Sequence, residues 1–296
     1  MSQVVAVPVV ETVKNVFNFS VDKFPLSGPD NMATGVYGLF RSDNNAFVGR
    51  SSVTKIYVPH QTDDVLALVE CAAEAFDGVG EVSCHFNEGH YVVVQPSREY
   101  RLNVFGTVDN IIPKLVIRAG YDMKAFSASV AFYRDMCRNL HIMRSVSSTT
   151  VSINHTSGLR SKMNELIRTF STLKNSWGTL QNVVQQIERT RVQLPAFLDA
   201  IYGQPVAGDT TRAETIHRNR TEAIIRRIMN EQHAAGRTPM DATMTVTGWE
   251  AFNAIQGYTQ HQATRRGGVG DFQRMLLAHN DANVATAEAY VMRLAS

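Results

Sequence analysis

Glu81-Val82-Ser83-Cys84-His85-Phe86, then Asn87-Glu88-Gly89, then His90-Tyr91-Val92-Val93-Val94-Gln95: two β-rich runs flank a short loop whose glycine can supply a positive φ. This stretch reads as a hairpin and places antiparallel strands in the N-terminal half. Upstream, Val36 to Arg41 and Ala46 to Val58 flank the turn-rich Ser42-Asp43-Asn44-Asn45, a second hairpin. Between the hairpins, Thr62 suits a helix N-cap, and Asp63 and Asp64 complement the helix dipole. Val65, Leu66, Leu68, Val69, Ala72, Ala73 and Phe76 follow helical spacing to a stop at Gly78. Downstream, Arg101 to Val108, Lys114 to Ala119, Phe126 to Tyr133 and Val151 to His155 read as further strands.

From Ser161 the periodicity changes. Leu166, Ile167, Phe170, Leu173, Trp177, Leu180, Val183, Val184 and Ile187 recur every three or four residues, the stripe of one long helix. Gly203 to Gly208 forms a loop and the best hinge candidate, ahead of a helix over Thr211 to Gln232 that is ringed by arginines. Thr247, three residues ahead of Glu250, caps a helix that runs to His261; two more helices cover Gly270 to His279 and Ala282 to Leu294. The expected fold is α+β: a strand-rich, antiparallel portion over 1–160 and a helical portion over 161–296, packed as one continuous domain.

Composition narrows the class. With 296 residues, 44% of them hydrophobic and 19% charged, the chain can bury a sizeable core. The longest apolar run, Val4 to Val10, is too short to span a bilayer and is broken by Pro8, so no membrane partner is expected. Three widely spaced cysteines, Cys71, Cys84 and Cys137, are not a disulfide framework, and the expected location is the cytoplasm. No Walker loop, Gly-x-Ser-x-Gly elbow or paired-carboxylate signature occurs, so no catalytic residue and no cofactor are assigned. His85 and His90 lack complementary thiolates or carboxylates at metal-ligand spacing, so no metal is assigned.

Charge is unevenly spread. Residues 1–133 hold 10 Lys+Arg against 14 Asp+Glu, residues 134–191 hold 9 against 3, and the remainder is balanced at 10 each. A concentrated basic stretch can neutralise phosphates and release counterions, although a solvated helix face balanced by the acidic N-terminal third has the same composition. Arg134, Arg138 and Arg144, leaving a strand, and Arg160 and Lys162, at the start of the long helix, are the candidate nucleic-acid contacts. The glycine-rich Arg265-Arg266-Gly267-Gly268 is a secondary phosphate candidate.

Two segments carry a resemblance. Thr247-Gly248-Trp249-Glu250-Ala251-Phe252-Asn253-Ala254-Ile255, continuing to Tyr258 and His261, resembles a motif of the phage/plasmid-like protein family, domain of unknown function 932. Arg134-Asp135-Met136-Cys137-Arg138-Asn139 and Ile153-Asn154-His155-Thr156 are similar to two shorter elements of that family, in the same order; Gly257 stands where the family more often has a polar or bulky residue. The resemblance implies a phage- or plasmid-encoded protein not tied to an enzyme. By analogy of organisation it implies kinship with single-strand annealing proteins, which assemble as rings or filaments and hold single-stranded DNA in a basic groove. The leading expectation is therefore a homo-oligomeric protein of DNA recombination that binds single-stranded DNA. The alternative is a non-enzymatic interaction or structural phage protein, such as a modulator of host defence, with a host or phage protein as partner.

Overall fold

Strand alternation builds the first sheet. In β1 (Val21–Ser27), β2 (Ala33–Arg41) and β3 (Phe47–Val53), paired antiparallel in that order, Leu39 lies opposite both Lys23 and Val48, and Phe40 opposite both Asp22 and Phe47. Period-two geometry then sends Val21, Leu39 and Val48 to one face, where they pack with Phe19, Val53, Tyr57 and Tyr121. The opposite face carries Phe24, Phe40 and Phe47, with successive ring centroids 5.9 and 5.5 Å apart. Phe24 and Phe47 remain 52% and 46% exposed. The β2–β3 turn closes at Asn45, whose φ of 56° is one that asparagine tolerates.

The computed structural model describes residues 7–76, 78–86, 89–96, 101–103, 109–121, 126–134, 139–141, 150–153, 170–205, 211–263 and 281–296. Two compact units emerge, and they interleave along the chain: residues 1–100, 113–131 and 148–177 form the first, and 101–112, 132–147 and 178–296 the second. The strand-rich and helical halves of the sequence are therefore not the two compact units.

In the first unit, α1 (Val7–Val16) and α2 (Thr62–Ala75) accompany the sheet strands β4 (Val79–Phe86) and β5 (Gly89–Pro96). The expected cap of α2 shifts by one residue. Gln61 is the N-cap; its N–H donates to Asp64 Oδ2 at 2.8 Å, and its side-chain amide exchanges two hydrogen bonds with the Val21 backbone. Thr62 Oγ1 is committed elsewhere, donating to the Phe17 carbonyl at 2.7 Å. Helical spacing holds: Val65, Leu66, Leu68, Val69, Ala72 and Ala73 are all buried. The β4–β5 hairpin forms as expected, with Phe86 opposite His90. Gly89 is already in strand; a Cβ there would fall 2.5 Å from the Cα of Gly120 on β7 (Asn110–Gly120), so close strand approach requires glycine.

The larger sheet runs β10-β8-β7-β5-β4, with β8 at Phe126–Arg134 and β10 at Thr150–Ile153. Of the expected strand Arg101 to Val108, only β6 (Leu102–Asn103) is strand among the described residues. Conversely β7 extends through Pro113 to Asn110, beyond the expected Lys114.

At the centre of the first unit two histidines meet. His60 Nε2 and His90 Nδ1 lie 2.8 Å apart, with both residues essentially inaccessible. Tyr121 stacks on His60 at 4.2 Å and donates its hydroxyl to the His60 carbonyl, while Phe17, Phe19 and Phe86 ring His90. Burial, aided by the Arg41 charge, pushes the His90 pKa down to about 3.

The second unit is mainly helical. It holds most of α3 (Phe170–Arg189), the ribbon of β11 (Arg191–Gln193) with β12 (Thr245–Thr247), and α4 (Leu194–Tyr202). It continues with α5 (Thr211–Ala234), α6 (Gly248–Gly257), a π-helical turn over Tyr258–Gln262, and α7 (Ala282–Ala295). Leu180, Val183, Val184 and Ile187 of the expected long stripe are buried, as are Phe197, Trp249, Phe252, Ile255 and Val291. Antiparallel strands in the N-terminal half and helices in the C-terminal half make the protein α+β. Among the described residues no helix is long and apolar enough to cross a membrane.

Candidate functional site

The second unit concentrates the polar chemistry, and its organising element is α6. Thr247 caps it as expected: Thr247 Oγ1 accepts from the Glu250 N–H at 3.1 Å, and Glu250 Oε2 accepts from the Thr247 N–H at 2.9 Å. Every residue from Gly248 to Gly257 is buried. Its aromatic face packs inward, with Trp249 5.6 Å from the ring of Phe132 on β8.

The polar residues of this helix and of the following turn act on β9 (Asn139–His141), which pairs with the end of β8. Gln260 behaves as a surrogate strand: its Nε2 donates to the Leu140 carbonyl at 2.6 Å, and its Oε1 accepts from the Leu140 N–H at 3.1 Å. Gln256 Nε2 donates to the same carbonyl at 2.9 Å. Asn139 Nδ2 donates to the Asn253 carbonyl, and Asn139 Oδ1 accepts from His261 Nε2 at 3.2 Å. The edge of β9, which has no further strand among the described residues, thereby has its backbone groups satisfied.

Beside this lock sits a buried charge network that overturns one expectation. Arg134, expected at the surface as a phosphate contact, is 2% exposed. Its Nε donates to both oxygens of Asp109 at 2.9 and 2.8 Å, its Nη2 lies 2.8 Å from Asp109, and its Nη1 pairs with Glu231. Asp109 is itself fully buried, so the guanidinium cannot turn to solvent without giving up its pair with a desolvated carboxylate. Arg227 completes the network, with Nε 2.9 Å from Glu231 and Nη2 donating to Asn139 Oδ1 at 3.3 Å. Gly257 makes room for it: a Cβ at Gly257 would lie 2.2 Å from the Arg227 Cζ. Arg138, Arg144, Arg160, Lys162, Arg265 and Arg266 lie outside the described residues.

The arginines of α5 divide by face. Ile224, Ile228 and Gln232 are buried, Arg227 turns inward to its network, and Arg220 lies 4.5 Å over the Tyr202 ring. Arg212, Arg218 and Arg226 are exposed. At 100° and 1.5 Å per residue they occupy an arc of about 120° and about 21 Å of helix length. Among the described residues no carboxylate forms an ion pair with any of the three.

A second charged feature is a cleft of about 700 Å³ lined by Arg189, Arg191, Arg237, Asp241, Glu188 and Glu250, among others. Arg237 Nη1 donates to Glu188 Oε1 at 2.8 Å and to Glu250 Oε1 at 3.3 Å. Thr247 Oγ1 donates to Glu188 Oε2 at 2.9 Å, and Gln232 Nε2 to Glu250 Oε1 at 3.1 Å. Burial pushes the Glu188 pKa up to about 7, with Glu250 adding to the rise and Arg237 and Thr247 opposing it. The capping box that sets Thr247 and Glu250 was legible in sequence. Their convergence with Glu188 and Arg237 was not, because Arg237 lies 49 residues from Glu188.

Among the described residues no three ligating side chains cluster for a metal ion. Burial raises the pKa of Cys84 to about 12 and that of Cys71 above its usual value, so neither is an activated thiol.

A family model described as Domain of unknown function (DUF932) matches residues 50–287. The chain belongs to this family. The DUF932 match takes in the α6 lock, the exposed face of α5 and the cleft, whereas β1 and β2 precede it. No curated protein matches the chain, and no solved structure matches it.

Proposed function

We propose that this DUF932 protein binds single-stranded DNA, acts as a homo-oligomer, and promotes strand annealing in phage or plasmid recombination. The observation that carries the reading is the exposed row Arg212, Arg218 and Arg226 along α5, spaced over about 21 Å and in ion-pair contact with no carboxylate among the described residues, with exposed Glu222 set between the last two. Arg189 and Arg191, at the end of the basic stretch of sequence, are exposed as well. In this reading Arg138, Arg144, Arg160 and Lys162 add phosphate contacts, Arg265 and Arg266 further ones, and Arg134 contributes only through the fold.

Fluorescence anisotropy with dye-labelled oligo-dT tests it. Affinity falls steeply with salt, and Arg212→Gln/Arg218→Gln/Arg226→Gln lowers the log–log salt slope by about 2, at about 0.7 per phosphate contact on a single strand. Absence of binding at low salt refutes the function; an unchanged slope in the variant refutes the α5 face.

A second reading, a protein-interaction module, is favoured by the exposed rings of Phe24 and Phe47, which flank half-buried Phe40 on the first unit. It requires a partner whose capture survives nuclease treatment and is lost in Phe24→Ser/Phe47→Ser.

A further inference from the structure

We propose that the cleft around Arg237 is a binding site for a tetrahedral oxyanion, such as a phosphate group, with Arg189 and Arg191 at its rim. The inference stands on the cleft alone and holds whether or not the protein binds single-stranded DNA.

Arg237 carries five N–H donors, yet only Nη1 is used, shared between Glu188 and Glu250. Its Nε and Nη2 are buried without an acceptor. Those two nitrogens form the edge that grips a carboxylate or phosphate through parallel hydrogen bonds. Exposed Arg189 and Arg191 line the same cleft, so three guanidinium groups bound it. At about 700 Å³ it falls within the range of small-molecule sites and is ample for a phosphorylated group.

Glu188 supplies the gate. The groups around it are Arg237 from the segment after α5, Thr247 and Glu250 at the start of α6, and Gln232 of α5 through its bond to Glu250. Arg189, Arg191 and Asp241 complete the charged lining. When ionised, Glu188 holds Arg237 and repels an anion. When protonated, it gives up its charge and its ionic hold on Arg237, which stays paired through Nη1 with Glu250 and keeps its unused Nε/Nη2 edge for the ligand. Burial places this change close to neutral pH.

The test is calorimetric titration of the full chain with inorganic sulfate, whose charge is constant over the range used. Saturable binding tightens about ten-fold between about pH 8 and about pH 6, the limit for one linked proton near pH 7. Glu188→Gln, close to isosteric, binds sulfate at the acidic-limit affinity with no pH dependence. Arg189→Gln/Arg191→Gln, both at the surface, weakens binding and leaves the pH dependence in place. Absence of saturable binding at pH 6, or an unaltered pH dependence in Glu188→Gln, overturns the proposal. Competition identifies the source. Displacement of sulfate by a 5′-phosphorylated oligonucleotide but not by its 5′-hydroxyl twin supports a strand terminus as ligand; displacement by inorganic phosphate alone supports a free phosphorylated compound. Failure of both to displace sulfate overturns a phosphate site. The DNA reading fails separately, through the α5 variant and its salt slope.

Discussion

Acidifying the protein from about pH 7.5 to about pH 5 acts directly on the buried imidazole pair of the first unit. His90 has a pKa of about 3 in the folded chain, because burial disfavours its charged form and Arg41 adds repulsion. In the unfolded chain an ordinary histidine titrates near 6.5. Between those values the unfolded state binds more protons, so stability is complete above about pH 6.5 and is lost as pH falls towards 3. The slope approaches about 1.4 kcal/mol per pH unit, which gives a loss of about 2 kcal/mol at pH 5 from His90 alone. The neutral pair is also specific in geometry: at 2.8 Å one ring donates and the other accepts, so a proton on both facing nitrogens breaks the bond. Urea unfolding followed through the amide resonances of Tyr91 to Val94 reports on β5 itself. His90→Gln removes the titrating group, and its loss of stability between the two pH values is about 2 kcal/mol smaller than in the parent. The ring protons of His90 in the parent do not titrate above about pH 5. A midpoint near 6.5 for those protons, or an equal acid sensitivity in His90→Gln, refutes the reasoning.

Three further outcomes concern the second unit. Gly257→Ala drives a methyl group into Arg227 and separates it from Glu231 and Asn139, lowering stability by about 1–3 kcal/mol; in a double-mutant cycle with Arg227→Ala the two losses are not additive. Arg134→Met breaks the pair with the buried Asp109 carboxylate and costs about 3–5 kcal/mol in urea unfolding, whereas retention of parental stability refutes its structural role. Gln260→Leu leaves both the Leu140 N–H and its carbonyl without that amide and costs about 1–3 kcal/mol; hydrogen exchange at Leu140 accelerates ahead of the α6 amides.

Much of the local structure was legible because it depends on short-range rules. Alternation over Val36 to Arg41 and the Ser42–Asn45 turn produced β2 and β3, and helical spacing from Val65 to Phe76 produced α2. Thr247 and Glu250 announced the start of α6 with a capping box. An error arose where a residue had a long-range use: Thr62 bonds Phe17, and the cap of α2 falls to Gln61.

Charge is where sequence and tertiary structure part most clearly. Counting located a basic stretch, but a count cannot say which guanidinium faces a carboxylate. Arg134 and Arg227 are withdrawn into pairs with Asp109 and Glu231, while Arg212, Arg218 and Arg226 remain outside. Likewise Glu188 reads as an ordinary charge at the end of a helical stripe until Glu250 and Arg237 close around it. By itself the sequence determined β2, α2, the β4–β5 hairpin, the capped start of α6 and the α+β class, because periodicity and capping are properties of neighbours. Only the tertiary structure decided which charges are buried and which are free to act, because desolvation and ion pairing depend on residues that the chain brings together from far apart.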